Sequence, residues 1–151
     1  MDGLSDMATV ELSFSALPVH VRTARLIVTA VARRSGIAEA LLDEVRLAVG
    51  EACSRAVEAH QEHCPAEPVR LEMTDDDGRF EVVVSDSVPG EDFAGPADPA
   101  DAASWSAFAS ATSAAGEDSS MLGLAVIAGL ADDVKITSTP KGVEIRMSWP
   151  I

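Results

Sequence analysis

The chain has 151 residues, 47% of them hydrophobic, which is one domain's worth of sequence and enough to bury roughly 70% of its unfolded surface. Acids outnumber bases 25 to 11, only two of the bases are lysine (Lys135 and Lys141), and the net charge is −14. Such a surface repels a phosphate backbone and argues against direct binding of DNA or RNA, whereas a basic protein partner complements it. Two cysteines, Cys53 and Cys64, make no disulfide framework. The opening MDGLSDMATV has neither the basic region nor the apolar core of a signal peptide. The longest apolar run, LGLAVIAGLA at 122 to 131, is about half a membrane span. A cytoplasmic protein without a membrane partner is expected.

Residues 8 to 15, ATVELSFS, alternate as a strand with Val10, Leu12 and Phe14 on one face. Pro18 suits the first turn of a helix that runs to about Arg34 and stops near Gly36. Its apolar stripe takes Val21, Ala24, Leu26, Val28 and Val31, while Arg22, Arg25, Arg33 and Arg34 form the main basic concentration. A second helix covers roughly 38 to 62, with Leu41, Val45, Ala48, Ala52 and Ala56 as one buried stripe. Cys53 falls in that pattern as a small buried hydrophobe. At its end HQEHC brings His60, His63 and Cys64 together, but no second ligand pair occurs elsewhere, so a polar helix end is expected rather than zinc.

Two strands follow, 68 to 74 and 79 to 85, joined by DDDG at 75 to 78, where Asp-Gly supplies the positive φ of a tight hairpin. Residues 87 to 120 are rich in Ala, Ser, Asp, Gly and Pro, far longer than an ordinary connection, and read as a flexible lid. MLGLAVIAGLAD at 121 to 132 reads as a helix, and 133 to 139 and 142 to 149 as a hairpin closed around Pro140-Lys141-Gly142. The order β-α-α-β-β-lid-α-β-β argues for one α+β domain, a two-layer sandwich with a mixed, mostly antiparallel sheet and helices on one face. No GxGxxG follows a strand and no GxxxxGK[ST] occurs, so neither dinucleotide-binding nor P-loop chemistry is indicated.

One stretch does not fit a purely structural helix. LAVGEACSRAVEAH, 47 to 60, sets Glu51, Ser54, Arg55 and Glu58 among alanines and valines. Taken with VVVSDSVPGEDF and MLGLAVIAGLADDVKI, it resembles the three ATP-site boxes of the histidine-kinase-type (GHKL) ATPase superfamily. Within that superfamily the chain is most similar to the small bacterial anti-sigma factors that double as serine protein kinases, and the resemblance covers nearly the whole chain. It implies a helix-on-sheet (Bergerat-type) fold, a homodimer, and a protein that holds a sigma factor inactive until an anti-anti-sigma partner of the STAS type competes. Kinase members phosphorylate a serine of that partner with Mg-ATP.

In the family's first box, a Glu is followed four residues later by an Asn that ligates magnesium; here Glu51 keeps the first place and Arg55 takes the second. Arginine has five donors and no acceptor, so it cannot ligate a cation. It can pair with Glu51 at i, i+4, or its guanidinium can stand in for magnesium and meet phosphate. In the second box Asp86 matches the residue that bonds the adenine amino group and Gly90 can serve, but Val88 stands where a glycine is usual. In the third, Gly123 remains between Leu122 and Leu124, while Met121 replaces another glycine. The family's threonine near the closing hairpin is missing, with Val143 and Glu144 in its neighbourhood. The lid carries six acids and no Lys or Arg, a sign that opposes a triphosphate.

The resemblance therefore implies an anti-sigma-type switch that binds a sigma factor, an anti-anti-sigma factor or both, with Mg-ATP binding weakened or lost. Arg55, Asp86, Gly90, Leu122, Gly123 and Leu124 are the candidate cofactor site, with no metal ligand assigned. Arg22 and Arg25 are candidate partner contacts. Glu51 is the candidate general base if chemistry survives. The alternatives are an active ATP-dependent serine kinase, and a non-catalytic dimer that sequesters only the anti-anti-sigma protein.

Overall fold

The computed structural model describes residues 8–88 and 126–151. Strand β1 (Ala8–Phe14) leads into helices α1 (Pro18–Ser35) and α2 (Glu39–His63), then strands β2 (Val69–Asp76) and β3 (Arg79–Ser85). After a helical turn at 126–130, strands β4 (Asp133–Thr139) and β5 (Gly142–Pro150) close the fold. The strands form one five-stranded sheet in the order β1-β2-β3-β5-β4. Every neighbouring pair in it is antiparallel, so the expected mixed sheet is in fact uniform. The long segment expected as a lid lies outside the described residues from 89 onward, as do residues 121–125 of the expected third helix.

Local chemistry sets the element ends. Pro18 at the first helical position of α1 has no N–H to leave unpaired, and Gly36 ends the helix at φ 104. The Ile37 amide then donates to the Ala32 carbonyl at 3.1 Å and buries its side chain, a Schellman-type stop. Arg33 and Arg34 occupy the last turn, where they oppose the helix dipole. Asp77 and Gly78, at φ 53 and 76, make the two-residue turn that matches the twist of β2 and β3.

One core joins the layers. Leu71, Met73, Phe80, Val82, Val84, Ile145, Met147 and Trp149 line one sheet face. Val21, Ala24, Val28 and Ala32 of α1, with Val45, Ala48, Val49, Ala52, Ala56 and Val57 of α2, cover it. Val10, Leu12 and Phe14 add a partly buried fringe on β1. Leu26, expected in the α1 stripe, is instead 60% exposed. It sits two residues from both Ala24 and Val28, and residues two apart on a helix do not share a face. In α2 the stripe also shifts by one residue at its start, with Leu42 buried and Leu41 only partly so. No helix among the described residues is long and apolar enough to cross a membrane.

Gly142 shows how tightly the hairpin is held. A Cβ built there would fall 1.9 Å from the Asp86 carbonyl oxygen, and backbone cannot swing aside. A Cβ on Gly78 would meet nothing within 4 Å, although its φ of 76 is strained for other residues. Gly142→Ala should therefore destabilise by about 3 kcal/mol or more, as overpacking against rigid neighbours does, and Gly78→Ala by about 1 to 2 kcal/mol. Chemical denaturation of the two variants checks the order; equal losses would contradict it.

Candidate functional site

Three elements converge on one carboxylate. Asp86 follows the last residue of β3, and its amide donates to the Val143 carbonyl at 3.0 Å, extending the β3–β5 pairing by one bond. This anchors the side chain beside the start of β5 and beneath α2. Its Oδ1 accepts from the Val88 amide at 2.9 Å and the Val143 amide at 3.1 Å. Its Oδ2 accepts from Arg55 Nη1 at 2.8 Å, and the side chains are 13% exposed for Arg55 and 0% for Asp86. A buried carboxylate needs both a counter-charge and hydrogen bonds on its lone pairs, and Asp86 has both. The bare approach of Gly142 to the Asp86 carbonyl is what lets β5 come close enough to supply the Val143 amide.

A second buried group sets the other side. His60 is fully buried on the last turns of α2. Its Nδ1 lies 2.8 Å from the Glu67 carbonyl and its Nε2 lies 2.9 Å from the Ser87 amide. A carbonyl only accepts and an amide only donates, so the neutral ring carries its proton on Nδ1 and accepts at Nε2. His60 thus ties the 64–68 connection to the backbone directly after Asp86. Sequence pattern gave it a place at a polar helix end; its role as a buried bridge depends on Glu67, seven residues on, and on Ser87, 27 residues away. Among the described residues no group of three or more His, Cys, Asp or Glu could hold a metal ion.

The expected Glu51–Arg55 pair does not form. Glu51 is exposed and has no ion pair or hydrogen bond among the described residues, while Arg55 turns to Asp86 instead. The reason is electrostatic: attraction strengthens where water is excluded, so a fully buried carboxylate outcompetes an exposed one for the same guanidinium. Gly90, Leu122, Gly123 and Leu124 lie outside the described residues. At the closing hairpin, Val143 contributes its amide to Asp86, and the Thr139 hydroxyl donates to the Gly142 carbonyl at 2.9 Å and accepts from the Lys141 and Gly142 amides.

As a seat for Mg-ATP the described residues are a poor fit. Asp86 is fully buried with three donors already on it, and Arg55 has no lone pair to offer a cation. Arg22 and Arg25 lie apart from this junction, in a groove of about 290 Å³ between α1 and α2 that also includes Val57 and Glu58. The Arg25 stem lies against Gly50, where an added Cβ would come within 2.7 Å of its Cδ. Cys53 is buried nearby, and burial pushes its thiol up to about 12, with the Arg25 charge pulling weakly the other way.

The sequence from residue 14 to 149 matches the family model described as the histidine kinase-like ATPase domain. The chain belongs to this family. No curated protein matches it in sequence. Among solved structures, the histidine kinase-like fold superposes with a TM-score of 0.65 on the RsbU and RsbW domains of Rv1364c from Mycobacterium tuberculosis, at 14% identity. That match covers 95% of this chain and 32% of the mycobacterial one, so the chain spans about a third of it. It also superposes on the SiaB–SiaC complex from Pseudomonas aeruginosa, with a TM-score of 0.64, 12% identity, and coverage of 97% of this chain and 92% of that one. Identities this low establish a shared fold. The five-stranded sheet and its helices are those of the histidine kinase-like ATPase domains.

The junction and the buried Cys53 thiol each have testable consequences. Arg55→Met and Asp86→Leu should each cost about 3 to 5 kcal/mol, because each strands a buried charge; the double variant should lose well short of the sum. Urea unfolding of the four proteins measures the coupling, and simple additivity would show that the pair is not one unit. Cys53 should resist thiol reagents at pH 8 in the folded protein while the part-exposed Cys64 reacts. Because the folded Cys53 thiol ionises later than the ordinary value of 9.0, its contribution to stability is complete below pH 9 and falls as pH rises toward 12.

Proposed function

We propose that this protein is a regulatory switch of the anti-sigma kind, which acts by binding a sigma factor, an anti-anti-sigma factor or both, with Mg-ATP binding weak or lost. The observation that carries this reading is the Arg55–Asp86 ion pair. By the family resemblance Asp86 is the residue that would bond the adenine amino group, and here its free oxygen is taken by a side chain of the same protein. Arg55 stands where a magnesium ligand is expected, and replaces an acceptor by donors. Six acids and no Lys or Arg between 87 and 120 add a charge of the wrong sign for a triphosphate.

With the nucleotide role weakened, the surfaces left to select are those for proteins. The net charge of −14 suits a basic partner such as the DNA-contacting face of a sigma factor. Arg22 is exposed and Arg25 half-buried beside the α1–α2 groove, which gives that otherwise acidic surface a local site for an acidic partner segment. The SiaB–SiaC structure is a complex of two proteins in which this fold takes part, which supports a binding role for the fold.

Calorimetric titration with ATP, with and without Mg²⁺, should give no saturable heat for the natural protein. Arg55→Asn returns an acceptor oxygen to α2 and should gain magnesium-dependent affinity. Tight Mg-ATP binding by the natural chain would overturn the nucleotide half of the proposal. Purified sigma factor or STAS-type protein should be retained without nucleotide, and retention of neither would overturn the binding half. A mass increase of one phosphate on a partner's serine would establish a kinase instead, with the exposed Glu51 as its candidate base.

A further inference from the structure

Ser87 stands in the middle of a closed turn. The Val88 amide donates back to Oδ1 of Asp86 at 2.9 Å, an Asx turn with Ser87 enclosed between its ends. The Ser87 amide is held separately, and its acceptor is Nε2 of His60 at 2.9 Å. On the other side of the ring, Nδ1 donates to the Glu67 carbonyl at 2.8 Å. One fully buried imidazole therefore pins the 64–68 connection to the turn that gives Asp86 one of its three donors.

The pin works in one protonation state only. The neutral ring offers one donor and one acceptor, and its two backbone partners need one of each. A second proton, placed on Nε2, turns the acceptor into a donor that faces the Ser87 amide, itself a donor. It also brings a positive charge to a side chain with 0% exposure, which is costly unless an opposite charge meets it. The elements around the ring hold no spare buried acid among the described residues. Asp86 at the end of β3 is already paired with Arg55 of α2, and Glu62, His63 and Glu67 are exposed. The Cys64 thiol is pushed up by desolvation and by the Glu67 and Asp86 charges, so it supplies no anion either.

We propose that His60 is an acid-sensitive latch: protonation at Nε2 releases the Ser87 amide, opens the Asx turn and withdraws the Val88 donor from Asp86. The released state binds the extra proton and the latched state does not, so release is favoured as pH falls and the latch closes as pH rises. Histidine is the side chain that ordinarily changes charge between about pH 5 and 8, which sets the range to search. Asp86 keeps Arg55 and the Val143 amide after release, so the change is confined to residues 86–88 and the sheet stays intact. The latch uses only His60 and its two backbone partners, and does not depend on whether the chain binds nucleotide or a sigma factor.

Amide hydrogen exchange read by NMR between about pH 8 and about pH 5 tests the latch directly. The Ser87 and Val88 amides should lose about tenfold in protection factor at the acid end, the equivalent of one hydrogen bond. Amides in the β2–β3 ladder should keep their protection. Ring nitrogen shifts of His60 in the same samples should show the Nδ1-protonated neutral form at the upper end and a second proton at the lower. In His60→Gln the side-chain amide still donates and accepts but takes up no proton, and Ser87 protection should then be independent of pH. A ring that stays neutral throughout overturns the proposal, as does a ring that gains its proton while Ser87 stays protected. Loss of the ladder amides together with Ser87 overturns it too, because the event is then global unfolding, and so does an unchanged pH dependence in His60→Gln. Should that variant not fold, the natural chain decides alone: ring protonation and Ser87 release have to share one midpoint.

Discussion

The buried carboxylate of Asp86 is the constraint on which the rest of the site depends. A charge without exposure has to be answered by donors on both oxygens, and the fold answers it from three directions: a guanidinium from α2 and amides from Val88 and Val143. Each answer fixes a piece of backbone. The Val143 amide requires β5 to begin close to the end of β3, which in turn requires a residue without a side chain at position 142. Arg55 requires α2 to lie over that junction, and His60, one turn further along, holds the backbone after Asp86 from the same helix. The geometry of the site and the packing of the two layers are one problem with one solution.

The same constraint bears on chemistry. In this chain the nearby cation is part of the protein, permanently charged and unable to leave. Arg55 is thereby a fixed internal partner of Asp86, and two other features lie open at the surface: a groove between α1 and α2 that holds two arginines, and the sheet face turned away from the helices.

Much of the architecture was legible in the sequence because it is written in short-range terms. Alternation in ATVELSF, proline at the start of α1, Gly36 at its end and Asp77-Gly78 between two strands each act within a few residues, and the elements stand where they imply. Leu26 was misplaced because its apolar character was counted while its angle around the helix was not. The site was harder for a related reason. Helical spacing offers Glu51 as the neighbour of Arg55, four residues away, whereas the true partner is 31 residues distant and is chosen by burial. Register across the sheet is equally long-range: no pattern within β1, β2, β3, β5 or β4 alone reveals that Glu11, Glu72, Val83, Arg146 and Lys135 share a row.

The turns divide the described residues into pieces that close on local contacts: α1 with α2 through Gly36, β2 with β3 through Asp77-Gly78, and β4 with β5 through Pro140-Lys141. Local closure is fast, and joining such pieces is the slow, entropically expensive stage of folding. Arg55 belongs to the first piece, Asp86 follows the second and Val143 lies in the third. No pair of pieces can assemble the junction without the remaining one. It is a keystone, present only in the finished molecule, and a partly folded chain has nothing in its place to display.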